Sequence, residues 1–283
     1  MENKKPNLFL VGAPKCGTTS MYKYLEQHKD IFFPKVKEPN FFSDNFSRMQ
    51  RVSELSSYLA LYESSEEKIQ GDASVNYLCS RVAIKKIIDF NPESKFIVML
   101  RNPCDMIYSL HSQLFFTGDE NERDFEKAWD LIQERKRGNK IPAFCREPYY
   151  LQYDEMGKVG NQVHHLLSVI PRNRIHFVLQ QDLKSDSLGV VNDTLSFLGL
   201  EALTSLDEKI HNKNEIPRLQ FISILYHMRI PRILSDFFLI LKRAFRIERL
   251  HLRKKLHQIN RREKPRKDLS DEQRIKMLDE CFE

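Results

Sequence analysis

One lysine, one arginine and one glutamate stand where this chain can most easily build chemistry. Lys15 lies in GAPKCGTTS, between Gly12 and Gly17, and Thr18, Thr19 and Ser20 follow at once. Backbone N–H groups of a glycine-bounded turn, the positive end of a helix and a lysine charge together make a site for phosphate or sulfate, with hydroxyls as extra donors. Arg101 closes the apolar run KFIVML, and Ser109 follows eight residues on. A cation at a strand end attracts a second anion, although an Arg capping a sheet edge and a Ser bonded to its own helix is the alternative. Glu38, in KEPNFF, sits between Pro34 and Pro39 and among Phe32, Phe33, Phe41 and Phe42. A hydroxyl is a poor nucleophile until a positioned base takes its proton, and Glu38 is the candidate base. Its aromatic neighbours would desolvate it; an ion pair with Lys35 or Lys37 is the competing reading. His111, two residues past Ser109 and on a different face of the helix, is a second-choice base or acceptor contact. His164 and His165 read as structural.

The elements that must carry these residues follow from periodicity and breakers. Leu8–Val11 reads as a strand buried on both faces. MYKYLEQH reads as a helix, Asp30–Asp44 as extended and loop-like because of its prolines, and Ser53–Glu63 as a helix. A short strand and loop are expected over Ile69–Tyr77, a helix over Arg81–Phe90, a buried strand over Lys95–Leu100 and a helix over Asp105–Phe116. Single helices are expected over Asp124–Arg137 and Tyr153–Val169, a strand over Arg174–Leu179, a helix over Leu188–Leu198 capped by Gly199, and a last helix from Ser270 opening at Asp271 and Glu272. Strand–helix units in succession predict an α/β fold with a P-loop-like central parallel sheet flanked by helices. A helical, basic C-terminal segment would follow it. One domain over 1–283 is expected, with a nucleotide-binding core over 1–211 and a helical part over 212–283.

The glycine-bounded turn is close to the ATP-binding pattern G-x-x-x-x-G-K-[ST] but departs from it. Gly12 and Gly17 keep the spacing, Thr18 takes the lysine slot, and the lysine is Lys15 inside the loop. An ATPase commonly ends a later strand in an Asp that helps hold magnesium; here that end is Arg101. PKCGTT after an apolar strand resembles the 5′-phosphosulfate loop of sulfotransferases that use 3′-phosphoadenosine 5′-phosphosulfate (PAPS). The resemblance is greatest to the heparan-sulfate sulfotransferases and their bacterial relatives. RNPCDMIYS matches the family's 3′-phosphate contacts at Arg101 and Ser109, and KEPNFF carries Glu38 where that branch has its base. The resemblance implies that Lys15, Cys16, Gly17, Thr18, Thr19 and Ser20 hold the 5′ end of the nucleotide. It implies that Arg101 and Ser109 hold the 3′-phosphate and that Lys15 neutralises the charge developing in transfer. Asn214–Arg218 resembles a late loop over the nucleotide, so Arg218 is a further contact, a plain salt bridge being the alternative. Asp72, Ser74 and Tyr77 align with the acceptor-cleft segment, where Ala73 replaces a frequent Lys. Gly157 falls where the family has a Gly before an aromatic, but Val159 replaces that aromatic. The implied reaction is in-line sulfuryl transfer, without a metal, to a hydroxyl or amine of a carbohydrate or other small acceptor. Family members continue to a tail ending near a Trp, so a truncated C-terminus is expected. Two rivals remain: a P-loop kinase-like enzyme using ATP, and a non-catalytic nucleotide-binding protein.

Composition narrows the rest. The 283 residues are enough for one large α/β domain, and the net charge of +6 favours anionic ligands without naming one. Five scattered cysteines form no C-x-x-C pair, so neither a zinc site nor a disulfide framework is signalled, and a cytoplasmic setting is expected. MENKKPN has no apolar signal-peptide core. Phe221–Phe245 is apolar but too interrupted to span a membrane. The basic run Lys242–Lys267 reads first as a solvated amphipathic helix, next as contact with an anionic glycan or membrane surface, and last as a nucleic-acid grip, since no nucleic-acid motif accompanies it.

Overall fold

The structure, a computed structural model, describes residues 4–208, 215–217, 259–263 and 268–281. The chain divides into two compact units. The first takes in Met1–Leu110, Gln152–Asn212 and Leu269–Glu283; the second takes in His111–Leu151 and Lys213–Asp268.

The first unit is built on a five-stranded sheet. Its strands are β1 (Leu8–Gly12), β2 (Ile31–Phe32), β3 (Ile69–Asp72), β4 (Lys95–Leu100) and β5 (Ile175–Leu179), in the order β2-β3-β1-β4-β5. Every pairing is parallel. The central strands are continuous apolar runs because helices cover both faces of such a sheet: Leu8–Val11 and Phe96–Met99 are fully buried. β5, at the edge, is only partly buried. From β1 the chain first builds β2 and β3 on one side, then β4 and β5 on the other. The crevice at the carboxyl ends of β1 and β4 is therefore the topological switch point, where open α/β sheets bind ligands.

The helices of this unit are α1 (Thr18–Leu25), α2 (Leu55–Ala60), α3 (Ala83–Phe90), the first half of α4 (Pro103–Thr117), α7 (Tyr153–Gly157), α8 (Val159–Val169), α9 (Gln180–Ser185), α10 (Ser187–Leu198) and α11 (Asp271–Cys281). α1 begins three residues before the expected MYKYLEQH. Gly17, at a left-handed φ of 90°, starts it, and the first helical bond runs from the Met21 N–H to the Gly17 carbonyl at 3.1 Å. The hydroxyl residues Thr18–Ser20 thus occupy the first turn, whose N–H groups have no acceptor within the helix. The single helix expected over Tyr153–Val169 is two, α7 and α8, parted at Lys158, whose ψ of 51° is not helical. α10 ends at Gly199 as expected, with φ 76°. α9 was not expected; six residues are too few to show an apolar repeat. No described helix is long and apolar enough to cross a membrane.

Aromatic packing ties the KEPNFF segment to the sheet. The Phe9 ring of β1 lies 5.9 Å from Phe96 and 6.0 Å from Phe42. Phe42 also meets Phe90 at 5.3 Å, and Phe41 stacks on Tyr58 at 4.4 Å. Such pairs add about 0.5–1.5 kcal/mol each beyond burial. At the end of β1 only glycine fits: Gly12 has φ +146°, and an added Cβ would lie 2.8 Å from the Val75 carbonyl oxygen and 2.9 Å from Leu78 Cβ.

The second unit holds the second half of α4, α5 (Phe125–Asp130), α6 (Ile132–Lys136) and an antiparallel pair, β6 (Glu215–Pro217) with β7 (Arg261–Glu263). The helix expected over Asp124–Arg137 is broken at Leu131. β6 replaces part of the polar loop expected from Asn212; a three-residue strand has no periodicity to read. Trp129 is buried against Phe125 at 5.9 Å. Arg218, all of Phe221–Phe245 and most of Lys242–Lys267 lie outside the described residues.

Candidate active site

Three adjacent strands, β3, β1 and β4, end at the same edge of the sheet, and each end carries one of the chemically interesting residues. The loop after β1 places Lys15 at a left-handed φ of 63°. It is held to β4 by the Ala13 N–H donating to the Met99 carbonyl at 2.8 Å. Arg101, just past β4, donates from its guanidinium to the Lys15 carbonyl at 3.4 Å. The two cations therefore stand on one side of the molecule, beside the open first turn of α1. That turn carries no acidic residue and no side-chain cap. Backbone donors, a helix start and two positive charges converge there, a donor set suited to an anion.

Cys16 sits inside this loop, fully buried, with its thiol 3.6 Å from the Pro14 carbonyl oxygen. Burial pushes its pKa up to about 12, although the charges of Arg101 and Lys15 pull the other way. The thiol is protonated at neutral pH, so Cys16 serves the loop through its backbone and not as a nucleophile.

A cavity of about 400 Å³ opens at the tips of β4 and β5, lined by residues that include Arg101, Asn102, Asp105, Gln180 and Lys184. Asp105 would repel an anion there, but Arg274 of α11 pairs with it at 2.7 Å. Asn102 caps α4 by accepting the Cys104 N–H at 3.0 Å. Ser109 is buried in α4 at 5% exposure and does not line this cavity. The sequence reading missed Gln180 and Lys184. They come from α9, which left no periodic signal.

Glu38 lies in a turn in which Glu38 and Asn40 both adopt left-handed φ, 57° and 54°. Phe33 and Phe42 turn into the core, while the Glu38 side chain keeps 29% exposure and pairs with Lys37 at 2.5 Å. The carboxylate that is desolvated is Asp72, at the end of β3 and fully buried. It accepts the hydroxyls of Tyr58 at 2.7 Å, Tyr77 at 2.9 Å and Ser74 at 2.6 Å. Burial holds its pKa up at about 6 against these three bonds, and the Glu38 charge raises it further.

Asp72 gives a pH signature. Its folded carboxyl keeps its proton to higher pH than the ordinary value of 3.8. The associated stability is therefore fully present below about pH 4 and is lost as pH rises through about 6. Urea midpoints measured across that window should fall with pH in the wild type relative to Asp72→Asn. Parallel curves for the two proteins would refute the assignment.

His111 belongs to the second unit. It is buried, its Nε2 donates to the Glu122 carbonyl at 2.9 Å, and its ring meets Phe125 at 5.3 Å. Burial lowers its pKa. It is thus packed within that unit. Among the described residues, no group of three or more His, Cys, Asp and Glu side chains is placed to hold a metal ion.

Comparison with known proteins adds to this geometry. Residues 5–228 match the family profile described as "Sulfotransferase domain". The chain is similar to mouse carbohydrate sulfotransferase 15, with 25% identity over 173 residues, 45% of this chain and 30% of that protein. It is similar to human heparan sulfate glucosamine 3-O-sulfotransferase 6, with 24% identity over 71% of this chain and 54% of that protein. It thus spans only part of the length of these relatives. Among solved structures, a sulfotransferase from Alicyclobacillus acidocaldarius is 30% identical, with a TM-score of 0.64, covering 73% of this chain and 87% of that one.

Proposed function

The chain belongs to the sulfotransferase family, and from that premise we propose that it moves a sulfuryl group from PAPS to a hydroxyl or amine of a carbohydrate-like acceptor. The observation that carries this reading is the convergence of the Lys15 loop and Arg101 at the β1/β4 switch point. PAPS supplies the sulfuryl group and the phosphate that leaves with its bonding electrons. Lys15 and the N–H groups of Gly17, Thr18 and Thr19, in the loop that also holds Cys16 and Ser20, grip the 5′ end, and Lys15 neutralises charge gathering on the departing phosphate oxygen. Arg101 and Ser109 bind the 3′-phosphate. Glu38 takes the acceptor proton as the acceptor oxygen or nitrogen bonds to sulfur and the sulfur–phosphate bridge breaks. The protein's contribution is positioning and charge stabilisation.

Calorimetric titration with 3′-phosphoadenosine 5′-phosphate against ATP–magnesium tests the nucleotide half. Tighter binding of the former is expected; tighter ATP–magnesium binding would overturn the reading. Sulfur-35 PAPS with a panel of saccharides bearing free hydroxyls and amines tests the acceptor half. Label should appear on at least one of them, and binding without any transfer would favour a nucleotide-binding role.

A further inference from the structure

A buried chain of hydrogen bonds leads from Asp72 to the turn that carries Glu38. The Asn40 N–H donates to Ser74 Oγ at 3.0 Å, and the Ser74 hydroxyl donates to Asp72 Oδ1 at 2.6 Å. The other Asp72 oxygen accepts Tyr58 and Tyr77, and the Phe42 N–H reaches the Tyr77 oxygen at 3.4 Å. Ser74, Asp72 and Asn40 are all buried. The Asn76 side chain also donates to the Asn40 side-chain oxygen at 3.3 Å, so one segment, Asp72–Tyr77, holds the turn from one side.

The turn needs holding. Two non-glycine residues, Glu38 and Asn40, sit at left-handed φ on either side of Pro39, a conformation that persists only where its surroundings fix it. Burying a charged carboxylate for packing alone is also a poor choice, because apolar residues of similar volume serve at least as well. Both costs are explained together if the network exists to place one side chain.

We propose that Ser74, oriented by Asp72, is a positioning residue: by accepting the Asn40 N–H it fixes the turn that aims Glu38 at the acceptor. The proposal rests on Glu38 being the base. It assigns Tyr58 and Tyr77 the task of completing the Asp72 shell, so that the Ser74 hydroxyl proton points to Asp72 and a Ser74 lone pair points to Asn40. A misplacement of the base by about 1 Å can cost about 10²-fold in rate without touching nucleotide binding.

The test is a mutant cycle with two readouts. The first is the turnover number for sulfur-35 transfer from PAPS to whichever saccharide of the panel is labelled, with the dissociation constant of 3′-phosphoadenosine 5′-phosphate beside it. The second is amide hydrogen exchange at Asn40. Ser74→Ala should lower turnover about 10- to 100-fold, leave nucleotide affinity within about twofold and speed exchange at Asn40. In a Glu38→Gln background it should cause no further loss, since residues acting through one another are not additive. Ser74→Cys, near in volume but a weak acceptor, should fall between wild type and Ala, and it carries the cycle if Ser74→Ala does not fold. Equal losses of rate and nucleotide affinity, or the same loss in both backgrounds, would overturn the positioning role and leave Glu38 in place. Unchanged turnover in Glu38→Gln alone would remove the base, and the proposal with it.

Discussion

Lys15→Gln should lower turnover in sulfuryl transfer by about 10²–10³-fold, the usual loss when one donor aimed at developing charge is removed. Affinity for 3′-phosphoadenosine 5′-phosphate should weaken less than turnover falls. The backbone N–H groups of the loop and the start of α1 remain, and the Arg101 bond to the Lys15 carbonyl does not involve the substituted side chain. Gln keeps nearly the same length and a polar end, so the thermal midpoint should move little compared with the loss of turnover. Labelled-PAPS kinetics, titration with the product nucleotide and a thermal melt separate these quantities. An enzyme that turns over normally without the Lys15 charge would end the assignment of this loop. The electrostatics add a check on ionic strength: with two cations facing one ligand, nucleotide affinity should fall as salt rises, and fall less steeply in Lys15→Gln.

The largest stability effect should come from the second unit. Arg135 and Glu120 are both fully buried and joined by two bonds of 2.7 Å. Glu120 also accepts the N–H groups of Asn121 and Glu122, at 2.8 and 2.9 Å. Glu120→Ala would leave the Arg135 guanidinium buried without its counter-charge and two backbone donors without an acceptor, a loss of about 3–5 kcal/mol. Replacing both partners, Glu120→Leu with Arg135→Met, should recover much of that loss, because the pair gives back in desolvation a large share of what its attraction supplies. Urea unfolding with hydrogen exchange read at residues 111–151 would follow the unit. Glu120→Ala with a midpoint close to wild type would mean that the pair is not buried in solution.

Much of the first unit was legible because its signals are local. β4 runs over the expected Lys95–Leu100, β3 opens at Ile69, and α10 stops at Gly199, since a buried parallel strand is an apolar run and a left-handed cap wants glycine. The loop between Gly12 and Gly17 and Arg101 at a strand tip could be named from residue type and spacing. The breaks at Leu131 and Lys158 and the short elements α9 and β6 could not, because the apolar spacing runs on through the first two and the others are shorter than a period. Asp72, Ser74 and Tyr77 stood in view as a segment, but nothing near them in the chain points to Asn40 or Tyr58.

By itself, then, the sequence determined which strands are central and which side chains can grip an anion or take a proton, because burial on both faces and charge at a strand end are written in consecutive residues. Only the tertiary structure decided that β1 and β4 are neighbours at the switch point, so that Lys15 and Arg101 meet. It alone decided that Asp72 is fully buried while Glu38, in the turn beside it, keeps 29% exposure. Strand order and desolvation depend on residues brought together from distant parts of the chain, and no local pattern encodes them.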